Sequence, residues 1–526
     1  MCQNFMNNYN NIPLTRYFIL GWLVFFFSCQ SGEKKESMFT LLTGEDTGLD
    51  FQNKLNLTTE MNIFKYMYYY NGGGVGVADF NNDGLKDIFF TGNMVENELF
   101  LNEGNLKFKN VTNKSGIKKD GAWSNGVSVV DINNDGMMDI YISQVGKFDI
   151  FNGHNQLFVC QKIENGIPVY KEESAAYGLD LVGYGTQAVF FDYDLDGDLD
   201  MYQLNHSTHN NGTFGQRANF MGTYHELSGD KLMRNDKGHF IDVTKASGIN
   251  SSVIGYGLGV VASDINLDGY PDLYIGNDFH ENDYLYINQG DGTFKDVTTE
   301  QIMHTSRFSM GVDAADLNND GFNEIISLDM LPEQADILKR SENDEDISLF
   351  KFKLDYGYNY QYSRNALQLN NGNGSFSEIA MYSGVNATDW SWSPLFFDMN
   401  QDGKQDLFIS NGIPKRMNDL DYINFVSDQD WQWKTRHNEL TQKELDLILK
   451  IPELKLENKI FVQGDDLKFT DASMAVQKVL PSYSSGAAYA DFDNDGDLDV
   501  VVSNINEKPF IYRNDHSRAK DQQKPV

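Results

Sequence analysis

Apolar and polar positions alternate along this chain in a recurring unit. Short runs rich in β-branched and aromatic residues, such as Gly74-Val75-Gly76-Val77-Ala78 and Ile88-Phe89-Phe90-Thr91, flank a polar nonapeptide running from Asp79 to Asp87. Such residues fit a pleated surface, so the flanks read as strands and the nonapeptide as the tip of a β-hairpin. The unit recurs with nonapeptides beginning at Asp131, Asp192, Asp264, Asp316, Asp398 and Asp491. Asp, Asn and Gly are common turn residues, so one copy alone would mean little. Seven copies mark a repeat architecture.

A second pattern alternates with the first. Phe108-Lys109-Asn110-Val111-Thr112 leads to Gly116-Ile117, and similar segments begin at Tyr170, Phe240, Phe294, Phe376 and Phe469. Most follow an Asn/Gly-rich turn such as Asn288 to Gly292, which signals a hairpin. With a third strand such as Glu98 to Asn102, each unit holds four antiparallel strands. Seven such units predict an all-β fold, a seven-bladed β-propeller. The seventh unit stops after its third strand, Pro509 to Asn514, whereas Phe39 to Thr43 fits the fourth-strand pattern and has no unit of its own. This N-terminal strand is expected to complete the last blade and close the ring, leaving no sheet edge to aggregate.

The nonapeptides carry the candidate chemistry. Side-chain oxygens stand at positions one, three, five and nine, and glycine at position six. The residues are Asp79, Asn81, Asp83 and Asp87; Asp131, Asn133, Asp135 and Asp139; Asp192, Asp194, Asp196 and Asp200; and Asp264, Asn266, Asp268 and Asp272. The set continues with Asp316, Asn318, Asp320 and Glu324; Asp398, Asn400, Asp402 and Asp406; and Asp491, Asp493, Asp495 and Asp499. Calcium takes about six to eight oxygen ligands, and alternate oxygens around a sharp glycine turn can wrap one ion. Up to seven Ca2+ are expected.

Charge changes the picture in one respect. The formal net charge of −34 excludes a nucleic-acid surface, which needs a basic patch. Yet 13% of residues are aromatic, so this is no acidic disordered chain. Five nonapeptides with three carboxylates at ligand positions and two with four make 23, and seven Ca2+ would bring the net charge to −20. Crowded carboxylates repel one another, so folding is expected to depend on the ion.

The N-terminus has a different character. Arg16 precedes the apolar run Tyr17 to Phe27, which is too short to span a membrane and reads as a signal-peptide core. Phe26-Phe27-Ser28-Cys29 resembles a lipobox with Cys29 as the lipidated residue, although Phe26 replaces the preferred Leu. The expected organisation is a signal peptide at 1–29, a tether at 30–37, the propeller at 38–515 and a polar tail at 516–526. Localisation is then the outer membrane or cell surface. Cys160 is the single cysteine of the body, so no disulfide framework is expected.

The repeats resemble the FG-GAP/VCBS calcium-binding blades of integrin α-subunit propellers. The whole body is similar to exported Bacteroidota proteins with VCBS repeats that usually end in an ASPIC/UnbV domain, relatives of cartilage acidic protein. Tyr70 to Val75, Asn277 to Tyr286, Asp329 to Pro332, Arg364 to Asn371 and Thr388 to Trp392 carry this similarity, over residues 37 to 515. The resemblance implies calcium binding, export and adhesion or glycan-associated roles, and establishes no reaction. No ASPIC/UnbV domain follows Asp515, which leaves a propeller-only member or a truncated reading frame as alternatives.

Insertions at 205–231, 332–364 and 411–458 are the candidate ligand surface, with helices expected in the last two. His206 and His209 could hold a transition metal, and His280 could serve acid/base chemistry in a glycan-active enzyme, the alternative to a protein- or glycan-binding module. His280 equally fits a structural turn. Trp431 and Trp433 are candidates for sugar stacking, whereas Trp390 and Trp392 alternate with serine and read as core. No nucleophile elbow, HExxH or phosphate loop occurs, and no catalytic residue is assigned.

Overall fold

In the computed structural model, residues 37–209, 215–341, 346–426 and 441–517 are described. Seven antiparallel sheets form a ring, which is a seven-bladed β-propeller. The first blade pairs Val75–Ala78, Asp87–Phe90, Glu98–Asn102 and Phe108–Asn110 in that order, and five others repeat this four-stranded meander. The seventh combines Ser484–Ala490, Asp499–Asn504 and Phe510–Asn514 with the N-terminal strand Phe39–Thr43, which runs antiparallel to the last of them. Phe39 faces Asn514 and Thr43 faces Phe510, so the expected ring closure is present. A short strand, Val476–Gln477, adds in parallel outside it.

Every sheet is sandwiched between two others, and this explains the second strands. In Asp87–Phe90 and in Asp499–Asn504 every residue is buried, so the alternation of a half-exposed strand disappears. An apolar core fills each gap between neighbouring blades. Phe89, Leu99 and Leu101 of the first blade meet Ile140, Ile142 and Phe158 of the second, and Phe90 and Phe100 meet Val501 and Ile511 of the seventh.

The first strand of every blade lines an axial channel of about 360 Å3, from Val75 in the first blade to Ala487 in the seventh. Backbones approach closely there. A Cβ added to Gly311 would lie 1.7 Å from the carbonyl oxygen of Trp392 in the next blade, which is why this position is glycine.

Antiparallel order fixes the two faces of the ring. The hairpin between first and second strands turns at one end of each blade. The connections from second to third strand, and from one blade to the next, turn at the other. All seven nonapeptides therefore share one face. The long insertions follow second strands, so they share the opposite face with the segment leading into Val75. Helices Ala335–Leu338, Ile347–Asp355, Leu420–Val426 and Gln442–Ile448 lie in these insertions. This face has its own core, in which Tyr66, Tyr69, Trp123, Ile448 and Ile451 are buried.

Candidate metal centres

The seven nonapeptides adopt one backbone geometry. Position four is left-handed in all of them, with φ between 55° and 59° from Asn82 to Asn494, and the glycine at position six has φ between 80° and 96°. The first carboxylate folds back on its own loop. Asp79 Oδ1 accepts the amide of Asp83 at 3.0 Å and Oδ2 accepts that of Gly84 at 2.7 Å. The same pair of bonds forms at Asp131, Asp192, Asp264, Asp316, Asp398 and Asp491. This pins one face of each carboxylate and directs positions one, three and five toward a common centre.

The ninth residue plays a structural part that its spacing does not reveal. Asp87 is buried; its Oδ2 accepts the Phe80 amide at 2.9 Å and its Oδ1 accepts the Asn102 amide at 2.7 Å. It thereby ties the loop to the end of the third strand. Asp139, Asp200, Asp272, Asp406 and Asp499 make both bonds, and Glu324 Oε2 accepts the Leu317 amide at 2.7 Å. Burial pushes these carboxyls up, to about 7 at Asp87, Asp200, Asp272 and Glu324, about 6 at Asp139 and Asp406, and about 8 at Asp499. Neighbouring loop carboxylates add to the rise, as Asp83 and Asp79 do at Asp87. A cation at the centre would relieve both penalties.

The donor set fits such a cation. In the third loop, ligand oxygens of Asp192, Asp194 and Asp200 lie within 4.8 Å of one another, as do those of Asp491, Asp493 and Asp499 in the seventh. Asp194 Oδ1 is buried without a hydrogen-bond partner. A buried carboxylate oxygen with no donor is costly, and a hard cation is the partner that it lacks.

The loops also touch one another. Asn82 Nδ2 donates to the Gly136 carbonyl of the next loop, Gln401 Nε2 to that of Gly496, and Asn494 Nδ2 to that of Gly84 across the ring closure. The amides that end third strands reach back to the preceding blade. Asn102 donates to the Phe492 carbonyl, Asn288 to Tyr193, Asn370 to Ile265 and Asn514 to Met399. The recurrence of Asn at the ends of third strands is visible in the sequence; its partner in the preceding blade is not.

Leu195 and Leu267 occupy position four where other loops have Asn or Gln, and both are about half exposed in a left-handed conformation. A branched residue there is strained by roughly 1 kcal/mol, which Asn tolerates better. Leu195→Asn should therefore stabilise the protein by about 1 kcal/mol, read as a higher denaturant midpoint at constant m.

The other candidate residues sit in the aromatic packing of the opposite face. His206 is fully buried; its Nε2 lies 3.0 Å from the Tyr66 hydroxyl and its Nδ1 faces the Ser207 carbonyl, so both ring nitrogens are engaged within the protein. His209 packs edge-on against Phe220. His280 stands between Tyr256 and Tyr358. The residues after it belong to a buried polar node: Glu281 pairs with Arg217 at 2.8 Å, and Asp283 accepts from Tyr274 and Ser309. His280 to Asp283 is thus the structural turn before Tyr284–Asn288. Trp390 is buried, whereas Trp392 is partly buried and donates from Nε1 to the Gly412 carbonyl. Trp431, Trp433 and Cys29 lie outside the described residues.

Burial depresses the His206 pKa to about 4 and that of His280 to about 3. A depressed histidine stays neutral in the fold while the unfolded chain takes up a proton near its ordinary value. Its stabilisation is present above pH 6.5 and is lost as pH falls toward 4. For His206 this is on the order of 3 kcal/mol. His206→Gln should melt with a visibly flatter pH dependence between these limits than the parent protein.

The FG-GAP-like repeat family matches residues 79–142, 264–327 and 353–409. The chain is 28% identical over 134 residues to cartilage acidic protein 1 of Homo sapiens, covering 25% of this chain and 20% of that protein. The Xenopus tropicalis protein is 26% identical over 147 residues, covering 28% and 21%. These matches thus span about a fifth of the curated relatives' length. A solved structure of BBS1N in complex with ARL6DN superimposes with a TM-score of 0.42 at 7% identity, over 91% of this chain and 97% of that one. The chain is a seven-bladed propeller in which three stretches match FG-GAP-like repeats, with partial similarity to cartilage acidic protein 1.

Proposed function

We propose that this chain is a calcium-stapled propeller, exported and lipid-anchored at Cys29, that serves as a binding or adhesion module for a protein or glycan. The observation that carries the calcium assignment is the shared geometry of the seven loops, with three carboxylates converging in the third and seventh and Asp194 Oδ1 left without a partner. The ions would be held by positions one, three, five and nine and would supply positive charge where buried carboxylates otherwise repel. At extracellular affinities of about 10⁻⁴–10⁻³ M, such sites stay filled and act as staples rather than switches. Export and lipidation rest on the apolar run before Cys29. A macromolecular ligand is favoured by the insertions gathered on one face; Trp431 and Trp433 are the sequence candidates for glycan stacking.

Calcium titration of the metal-stripped protein, with bound metal counted, tests this reading. Up to seven ions are expected, and Asp194→Ala should remove one. Uptake of no calcium would leave the loops as plain turns and end the reading. Intact mass of the mature protein tests acylation at Cys29, and a glycan array probed in calcium and in EDTA tests the class of ligand.

A further inference from the structure

The insertion face contains a cavity of about 280 Å3 that the calcium loops do not explain. It lies where the channel meets the cap, sharing Asn71, Leu258, Met310 and Trp392 with the channel lining. Its walls are aromatic and sulfur-rich. Tyr68, Phe279, Phe308, Trp390, Trp392 and Tyr422 contribute rings from five separate stretches of chain, and four methionines fill the spaces between them.

One acidic side chain lines this cavity. Asp278 Oδ1 accepts the amide of Phe279 at 2.8 Å, and the Arg307 guanidinium lies 4.5 Å from the ring centroid of Phe308 in the same wall. Burial pushes the Asp278 carboxyl up to about 8; Asp329 adds to the rise and Arg307 opposes it. Other polar groups of the wall are also unsatisfied. The indole Nε1 of Trp390, both amide atoms of Asn418 and the Tyr68 hydroxyl are buried without hydrogen-bond partners, in side chains 8%, 5% and 4% exposed. The backbone is strained beside the cavity at Phe279, with φ of 61°. Bulky residues seldom adopt this region unless the surroundings impose it.

Ring faces carry negative quadrupole charge and attract cations, and thioether sulfur is soft and polarisable. The Asp278 carboxyl, neutral in the empty cavity, would release its proton to solvent as a cation enters, and so selects charge in a way that a purely apolar wall does not. We propose that this cavity binds a small organic cation with apolar substituents, an alkylated ammonium, with Asp278 as counter-ion and the rings of Trp390, Trp392 and Phe279 packed around it. Buried orphan donors and acceptors at Trp390, Asn418 and Tyr68 would take up polar groups on the rest of such a molecule. This site is independent of the loops and of any macromolecular ligand.

Calorimetric titration of the calcium-loaded full chain with choline, tetramethylammonium and phenyltrimethylammonium tests the proposal, with 3,3-dimethylbutanol as the uncharged isostere of choline. Saturable one-to-one binding of at least one cation is expected, weakened about tenfold by Asp278→Asn, which retains the bond to the Phe279 amide, as loss of a desolvated charge contact implies. Phe279→Leu keeps apolar bulk and should weaken the cation more than the isostere. Both variants should melt as the parent does. Equal affinity for choline and its isostere would mean that the cavity is merely apolar. That result, indifference to Asp278→Asn, or no heat from any of the three cations at millimolar concentration would each overturn the assignment. Calcium uptake is read separately, so failure here leaves the loop assignment standing.

Discussion

Transfer from calcium to EDTA should lower the melting temperature by roughly 15–20 °C. At calcium about a hundredfold above Kd, each independent site contributes about 2.7 kcal/mol, so seven contribute roughly 19 kcal/mol. Unfolding entropy of about 2.1 cal/mol/K per residue, over about 480 residues, gives close to 1 °C per kcal/mol. The pH response supplies a second, sharper signature. Without the ion, the ninth carboxyls have folded pKa values raised to between about 6 and about 8, against 3.8 for Asp and 4.5 for Glu. The folded state then holds protons that the unfolded chain has released. Stability falls as pH rises through that window, so the melting temperature in EDTA should increase from pH 8 to pH 6. In calcium the sign should reverse, because protons compete with the ion for the same oxygens. Differential scanning calorimetry at both pH values, with and without calcium, measures all four quantities. Parallel curves in the two media would show that the loops hold no metal.

The ring was legible in the sequence because its repeat is local. Each nonapeptide sits between two strands that it joins itself, and the orphan strand Phe39–Thr43 could be matched to the incomplete last unit by pattern alone. What escaped are relations between residues far apart in the chain. The spacing of Asp87 presents it as one more ligand, yet its bonds to Phe80 and Asn102 make it a structural pin as well. The sequence places His206 in a Gly-rich insertion that reads as exposed, whereas Tyr66, Tyr68 and Tyr184 enclose it from two other segments. Asp278 reads as part of a polar turn. Its position in an aromatic cavity depends on side chains from blades four, five and six and from the segment before blade one, which no local pattern relates.

Charging the closing strand should open the propeller at one seam. Phe39 and Leu41 are 0% and 2% exposed and pack among Val500, Val502 and Tyr512 between the sixth and seventh blades. Replacing one such side chain by a smaller residue costs about 2–5 kcal/mol, and placing unpaired carboxylates in an apolar core costs more. Phe39→Asp with Leu41→Asp should therefore release Phe39–Thr43 from Phe510–Asn514. The freed strand edge carries Phe510 and Tyr512, and an exposed apolar edge recruits other chains. Size-exclusion chromatography should show oligomers where the parent is not self-associated through this edge. Hydrogen exchange separates seam opening from general destabilisation: amides of Phe510–Asn514 should lose protection first, while those of Asp272–Asn277, three blades away, keep it. Because Asn514 also donates to the Met399 carbonyl of the sixth blade and Asn494 to the Gly84 carbonyl of the first, the open seam should loosen the loops on either side. Calcium affinity would then fall most in the sixth, seventh and first loops. Uniform loss of protection around the ring would instead mean that the blades unfold as one unit and that the strand is not a separable closure.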